Sequence, residues 1–210
     1  MDQNAVTFSI VVATSGRRTL RSTLASIVEQ LEPGDEVLVR CSRDGDFGHA
    51  ARQSMVERAA GSHLLFMDDD DQFARGAFAV MRAFAREHPG RIGIFRMRYL
   101  DGSVLWTEPV LRLRNVGTPM LCVPNIPGKL GRWESPAYPR VADYEFVRGT
   151  AELQGDPIFR EEIVAHIRSD RRPLGRAVKR VTTPIVDARY ALAPRTRLAR
   201  ALARRRRDAS

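Results

Sequence analysis

Apolar and polar positions along this chain fall into blocks that switch between strand and helix periods. Phe8-Ser9-Ile10-Val11-Val12-Ala13-Thr14 is a β-branched, apolar run closed by Ser15-Gly16-Arg17-Arg18, which predicts a buried strand. Leu20, Leu24, Ile27, Val28 and Leu31 then recur at helical spacing, and Pro33-Gly34 stops that helix. Glu36 to Arg40 predicts a second strand, Ser42 to Gly48 a polar loop, and His49 to Ala60 a second helix broken at Gly61. His63 to Met67 is a third strand, Ala74 to His88 a third helix stopped by Pro89-Gly90, and Ile92 to Arg98 a fourth strand. Asp101-Gly102 between Arg96–Leu100 and Ser103–Trp106 is a hairpin signal that adds antiparallel pairing. From Thr107 to Arg140 the pattern dissolves into eight Pro and Gly positions besides Gly117, and a helix over Asp143–Leu153 and a strand over Ile163–Arg168 follow. Alternating strands and helices predict an α/β fold with a mostly parallel sheet covered by helices.

Asp68-Asp69-Asp70-Asp71 follows the third strand at once. Like charges repel, so four acids crowded at a strand end call for a counterion, and hard carboxylate oxygens suit Mg²⁺ or Mn²⁺. In open α/β sheets ligands bind beyond the carboxyl ends of strands, where these acids fall. A solvated acidic turn leading into the next helix is the plainer alternative.

The 210 residues suffice for one domain with a core, and the 43% hydrophobic fraction is ordinary. The formal charge of +9 suggests nucleic acid until it is located. Residues 169–210 hold 13 Lys or Arg against 3 Asp or Glu, so the preceding part is close to neutral. Cys41 and Cys122 form no metal-ligand spacing and no disulfide framework, and Met1-Asp2-Gln3-Asn4 lacks the basic start of a signal peptide. With no apolar window long enough to span a bilayer, a cytoplasmic setting is the simplest expectation. His49, His63, His88 and His166 share no zinc-ligand spacing; His166, on the last strand, can approach a metal or merely pack.

Four segments, in order across about residues 7–168, resemble the GT-A fold glycosyltransferases of family 2. "FSIVVATSGRR" resembles the family's opening strand, with Ala13 where the family has Pro and Thr14 kept. "GHAARQSMVERAAGSHLLFMDDDD" is similar to its helix with an Arg-Asn pair, small residues and Asp-x-Asp; Arg52-Gln53, Ala60-Gly61 and Asp68-Asp69-Asp70 stand in those places. The Pro/Gly-rich segment resembles the acceptor-side insert, and "ADYEF" the signature whose Asp is the catalytic base. The chain departs from the pattern twice: Arg40-Cys41-Ser42 stands where an acid recognises the nucleobase, leaving Asp44 as the nearest acid, and Ala142 replaces the Glu before the base.

The resemblance implies a GT-A, Rossmann-like domain over 1–168, with a nucleotide-sugar half (1–106), an acceptor half (107–168) and a basic tail (169–210). It implies metal-dependent, inverting transfer of a sugar from a nucleotide-diphospho-sugar, UDP-linked first among the candidates, to an acceptor hydroxyl on a glycan, lipid, protein or nucleobase. Donor contacts would come from Ala13, Thr14, Arg17, Asp44, Arg52, Asp68 and Asp69, Mn²⁺ or Mg²⁺ ligation from Asp70 with Asp68, and catalysis from Asp143. Asp143 can equally be a helix N-cap, and each arginine a solvated surface group. Trp106, Trp133, Tyr138 and Tyr144 can stack on a sugar or simply pack.

Rival readings fit less well. A phosphoryl transferase of the haloacid dehalogenase type needs its nucleophilic Asp on the first strand, and a sugar nucleotidyltransferase needs a longer Gly-rich opening than Thr14–Arg18. A calcium loop wants Gly where Phe73 stands. A non-catalytic module binding nucleic acid or an anionic surface through Arg204–Arg207 leaves the acidic strand end unexplained. The tail itself reads either as solvated and disordered or as a helix lying on the inner face of a membrane, with Leu198, Ala201 and Leu202 along one side.

Overall fold

The computed structural model of the protein describes residues 5–42, 46–133 and 141–168, and the backbone of 188–191. Among the described residues, nine strands form one mixed sheet, accompanied by four α-helices. Strand β1 (Phe8–Thr14) is buried at all seven positions and lies between β2 (Glu36–Cys41) and β3 (His63–Asp68), parallel to both. A strand covered on both faces must be continuously apolar rather than alternating, which is the pattern its sequence carries. Helices α1 (Leu20–Val28) and α2 (His49–Val56) make the crossovers of this parallel core.

The remaining strands are β4 (Gln72–Phe73), β5 (Gly93–Tyr99), β6 (Val104–Leu105), β7 (Leu121–Pro124), β8 (Ile158–Ile167) and β9 (Ala188–Ala191), with helices α3 (Ala77–Glu87) and α4 (Ala142–Gln154). The sheet order is β4-β8-β5-β7-β3-β1-β2-β9, with β6 paired to β5. The expected mostly parallel sheet is therefore a mixed one. Strand β7 comes from the Pro/Gly-rich segment and inserts antiparallel between β3 and β5. Its residues Leu121-Cys122-Val123-Pro124 are all buried, so four apolar side chains in an irregular stretch suffice to fill the gap. Residues 188–191, within the basic segment, pair antiparallel with the edge of β2. The expected hairpin at Asp101-Gly102 forms as β5–β6.

Two polar networks lock the end of the core remote from the acidic turn. The Asp35 carboxylate accepts the Phe8 N–H at 2.8 Å and pairs with Arg82 of α3 at 2.7 Å, both side chains being almost wholly buried. Arg82 also lies over the Phe8 ring, 4.3 Å from its centroid. Ser9 Oγ donates to Glu36 Oε1 at 2.8 Å and accepts the Gly61 N–H at 2.8 Å. A Cβ on Gly61 would come within 2.5 Å of the Ser9 nitrogen, so only glycine lets the turn into β3 approach β1 this closely.

Candidate active site

The parallel register sets Ala13 beside Asp68, so Thr14 and the residues after β3 emerge together at the carboxyl ends of adjacent strands. From there the four acids diverge into different roles. Asp69 turns inward and is 5% exposed. Its Oδ2 accepts the Thr14 hydroxyl at 2.7 Å and the Ser15 N–H at 2.8 Å, and the Gly16 N–H in turn reaches Thr14 Oγ1 at 2.9 Å. Asp69 thus splices the two strand ends and shapes the Ser15-Gly16-Arg17 turn.

Asp71 is also buried and structural: its Oδ1 accepts the Arg168 N–H at 2.7 Å, and its carbonyl accepts the Thr23 hydroxyl at 2.7 Å. These bonds tie the acidic turn to the end of β8 and to α1. His166 lies across from Gln72 in the β4–β8 pair and is exposed.

Asp68 and Asp70 remain at the surface of the site, each paired with an arginine. Arg17, whose side chain is 54% exposed, bonds Asp70 Oδ2 and lies 3.7 Å from Asp69 Oδ1. Arg52, on α2 and buried, bonds Asp68 Oδ1 and donates to the Phe47 carbonyl at 2.8 Å. The counterions that the acidic run demands are thus supplied by the protein, through one oxygen of each carboxylate. Burial pushes the Asp70 carboxyl above the ordinary range; the Arg17 charge opposes this, and the neighbouring Asp68 and Asp69 charges add to it.

Arg52 is held by its surroundings. Gly48, at φ +83°, precedes α2 so closely that a Cβ there would lie 2.7 Å from the Ala13 Cβ and 3.1 Å from Arg52 Nη1. Asp46 braces that turn, accepting from Ser42 Oγ at 2.6 Å and from the Gly48 and Ala50 N–H groups at 2.9 and 2.8 Å. Burial alone would raise the Asp46 carboxyl; the bonds from Ser42, Ala50 and Gly48 outweigh it and hold the group low. Asp44, proposed as the base-recognising acid, lies outside the described residues, as do Tyr138 and the 204–207 arginine run.

Asp143 reaches the same corner from α4. The helix begins at Ala142 with Val141 as its N-cap, so Asp143 sits inside the first turn and is not the cap. Its Oδ1 accepts the Tyr144 N–H at 2.8 Å. Burial raises its carboxyl to about 6; the Tyr144 bond opposes the rise, the nearby Asp68 charge adds to it, and Arg52 offsets it. Asp143 is thus a half-buried acid held near neutrality, within electrostatic reach of Asp68 and Arg52.

Ala13, Thr14, Arg17, Arg52, Asp68, Asp69, Asp70 and Asp143 therefore converge, although Ala13 contributes only backbone position and Asp69 acts through Thr14 and Ser15. Ser15 and Gly48 were not legible as parts of this assembly, and Trp133, by sequence an aromatic that stacks on a sugar or packs, lies against Arg52. Trp133 is 1% exposed, so it packs and offers no platform for a sugar; Trp106 is likewise buried, under Arg96 at 4.2 Å. A glycine directly before the expected helix start at His49 was the available signal for Gly48; nothing in the Pro/Gly-rich segment marks Trp133 for contact with Arg52.

Among the described residues no three His, Cys, Asp or Glu side chains group as a metal centre. Magnesium-type sites in phosphate chemistry need only one or two carboxylates, with substrate phosphates and water completing the shell. Asp68 and Asp70, each engaged by an arginine through one oxygen, fit that donor set.

No protein-family model and no curated protein matches the sequence. The fold does have solved counterparts. A structure of Staphylococcus aureus TarS superposes with a TM-score of 0.62 at 15% identity, over 78% of this chain and 37% of that one. TarS 1-349 in complex with UDP-GlcNAc gives 0.57 at 15% identity over 79% and 59% of the two chains, and the UDP complex gives 0.57 over 76% and 60%. The chain thus spans less than two thirds of each. The likeness shows a shared α/β fold, without showing membership of family 2. Among the described residues no helix is long and apolar enough to cross a membrane.

Proposed function

We propose that this protein transfers a sugar from a nucleotide-diphospho-sugar, with a uridine nucleotide as the first candidate, to an acceptor hydroxyl with inversion at the anomeric carbon. One observation carries the reading: two acid–arginine pairs, Asp70–Arg17 and Asp68–Arg52, meet a proton-accepting Asp143 at the carboxyl ends of β1 and β3. The resemblance to family 2 glycosyltransferases in Asp-x-Asp and "ADYEF", and the UDP and UDP-GlcNAc held by TarS, supply the donor class.

In this reading Thr14, Ser15 and Gly16 form the floor under the diphosphate, with Asp69 fixing the turn. Arg17 and Arg52, each still paired with its carboxylate through one oxygen, present their remaining N–H groups to the phosphate oxygens, where guanidinium–phosphate bonds favour the charge that builds on the leaving group. Asp68 and Asp70 hold Mn²⁺ or Mg²⁺, which when bound supplies further charge neutralisation at the diphosphate. Asp143 accepts the proton of the acceptor hydroxyl as its oxygen bonds to the anomeric carbon and the bond from that carbon to the diphosphate breaks.

A thermal-shift screen tests the reading: UDP-, GDP- and dTDP-sugars, each with and without Mn²⁺. Stabilisation by one nucleotide class, increased by Mn²⁺, is the expected result, because a ligand that binds only the folded state raises its stability by mass action. No stabilisation by any of them would overturn it.

A further inference from the structure

Trp133 sits where three site-bearing elements meet, yet no step of the proposed chemistry uses it. Its ring packs on Phe66 of β3, two residues before Asp68, with centroids 5.0 Å apart. It stacks on Phe146 of α4, one turn beyond Asp143, at 4.8 Å and 17°. The Arg52 guanidinium carbon lies 5.0 Å from its centroid, and its backbone N–H donates to Gln53 Oε1 at 3.0 Å. Gly131 makes the approach feasible, since a Cβ there would lie 2.2 Å from the Phe146 carbonyl oxygen.

Among the described residues the buried indole Nε1 has no hydrogen-bond partner. Burying an unpaired N–H is unfavourable, and a phenylalanine would fill an apolar stack without it. What indole adds is the strongest cation-attracting ring face, and a desolvated guanidinium is the partner that gains most from it. Arg52 is such a group, its Nε also buried and, among the described residues, unpartnered.

We propose that Trp133 is a positioning residue: through its ring it holds Arg52 against Asp68 and fixes α4, and with it Asp143, relative to that pair. This rests on the reading of Arg52 as a donor-side group, and it deepens that reading by making the acceptor-side segment a determinant of diphosphate affinity.

Two arms test it in the full-length protein. In the first, UDP is titrated in Mn²⁺ into wild type, Trp133→Leu, Trp133→Phe, Arg52→Met and the Trp133→Leu/Arg52→Met pair. Trp133→Leu weakens UDP about tenfold or more, Trp133→Phe weakens it by a smaller but measurable factor because its ring attracts the guanidinium less, and the double variant binds no more weakly than Arg52→Met alone. Multiplying effects in the double variant would mean that Trp133 acts independently of Arg52 and would overturn the proposal.

The second arm needs no ligand and no change at Trp133. The chain has two tryptophans, so a Trp106→Phe background assigns the Trp133 indole N–H resonance and emission. Arg52→Met shifts both if the guanidinium lies on the ring, and unchanged signals overturn the proposal. Should wild type bind no UDP, the functional reading fails while this arm still decides the role of Trp133.

Discussion

Asp143→Asn separates catalysis from stability in opposite directions. The carboxyl is raised to about 6 in the folded protein from an ordinary value of 3.8. A raised acid binds more protons folded than unfolded between these values, so its contribution to stability falls as pH rises through about 4 to 6. The full shift corresponds to about 3 kcal/mol at one pKa unit per 1.36 kcal/mol; because Asp143 is only half-buried, about 1–2 kcal/mol is the expected gain on removing the charge. An asparagine keeps the Oδ1 acceptor for the Tyr144 N–H, so the first turn of α4 survives. Thermal unfolding of both proteins from pH 3.5 to 8 should give coincident midpoints at the acid end. By pH 7 the variant should lead by several degrees, since about 1 kcal/mol moves the midpoint by roughly 2–4 °C in a domain of this size. Sugar transfer should fall by about 10²–10⁴-fold, the usual contribution of a positioned base, and wild-type activity should rise with an apparent pKa near 6. A variant that is less stable at pH 7, or equally stable at every pH, would refute the placement of a strained carboxylate; near-normal transfer would refute its role as base.

Arg82→Met leaves Asp35 charged and unpaired in the core and should cost about 3–5 kcal/mol in urea unfolding; a loss under about 1 kcal/mol would show that the pair is not desolvated. Burial, with the Arg82 charge adding to it, lowers the His63 imidazole to about 4 from 6.5. The unfolded chain then binds the extra proton first, so stability is full above about pH 6.5 and declines by up to roughly 3 kcal/mol towards pH 4. His63→Gln should flatten that slope in the difference curve, and an unaltered slope would assign it elsewhere. Gly48→Ala should cost about 1–2 kcal/mol for its left-handed backbone and, by crowding Ala13 and Arg52, weaken UDP binding as well; unchanged affinity would remove Gly48 from the site.

The parallel core was legible because its signals are local. A fully buried parallel strand such as Phe8–Thr14 is apolar throughout, and the turns at Ser15-Gly16 and Pro33-Gly34 punctuate it. The convergence of Thr14 with Asp69 follows from neighbouring parallel strands ending level. Strand β7 was not legible, because Leu121–Pro124 becomes a strand only when β3 and β5 offer it two edges. The first half of β8 hides among the charges of Arg160, Glu161 and Glu162, and α3 starts three residues later than its apolar spacing predicts because the Ala74 N–H still bonds the Val164 carbonyl of β8 and Gly76, at φ +80°, is the N-cap. At the site, the acidic run announced a need for counterions. That Arg17 and Arg52 would answer it, from 53 and 16 residues away, is a tertiary fact. Trp133 was legible as an aromatic that stacks or packs, but its partners were not, because they come from α2, β3 and α4.

The central claim is that a uridine nucleotide binds at the carboxyl ends of β1 and β3 through Asp68 and Asp70. Calorimetric titration of UDP into wild type and into the Asp68→Ala/Asp70→Ala variant, each with and without Mn²⁺, tests it most directly. Wild type should bind UDP at least tenfold more tightly in Mn²⁺, and the variant should show no Mn²⁺ dependence. Equal affinity of the two proteins in Mn²⁺, or no binding of UDP by wild type, would contradict it.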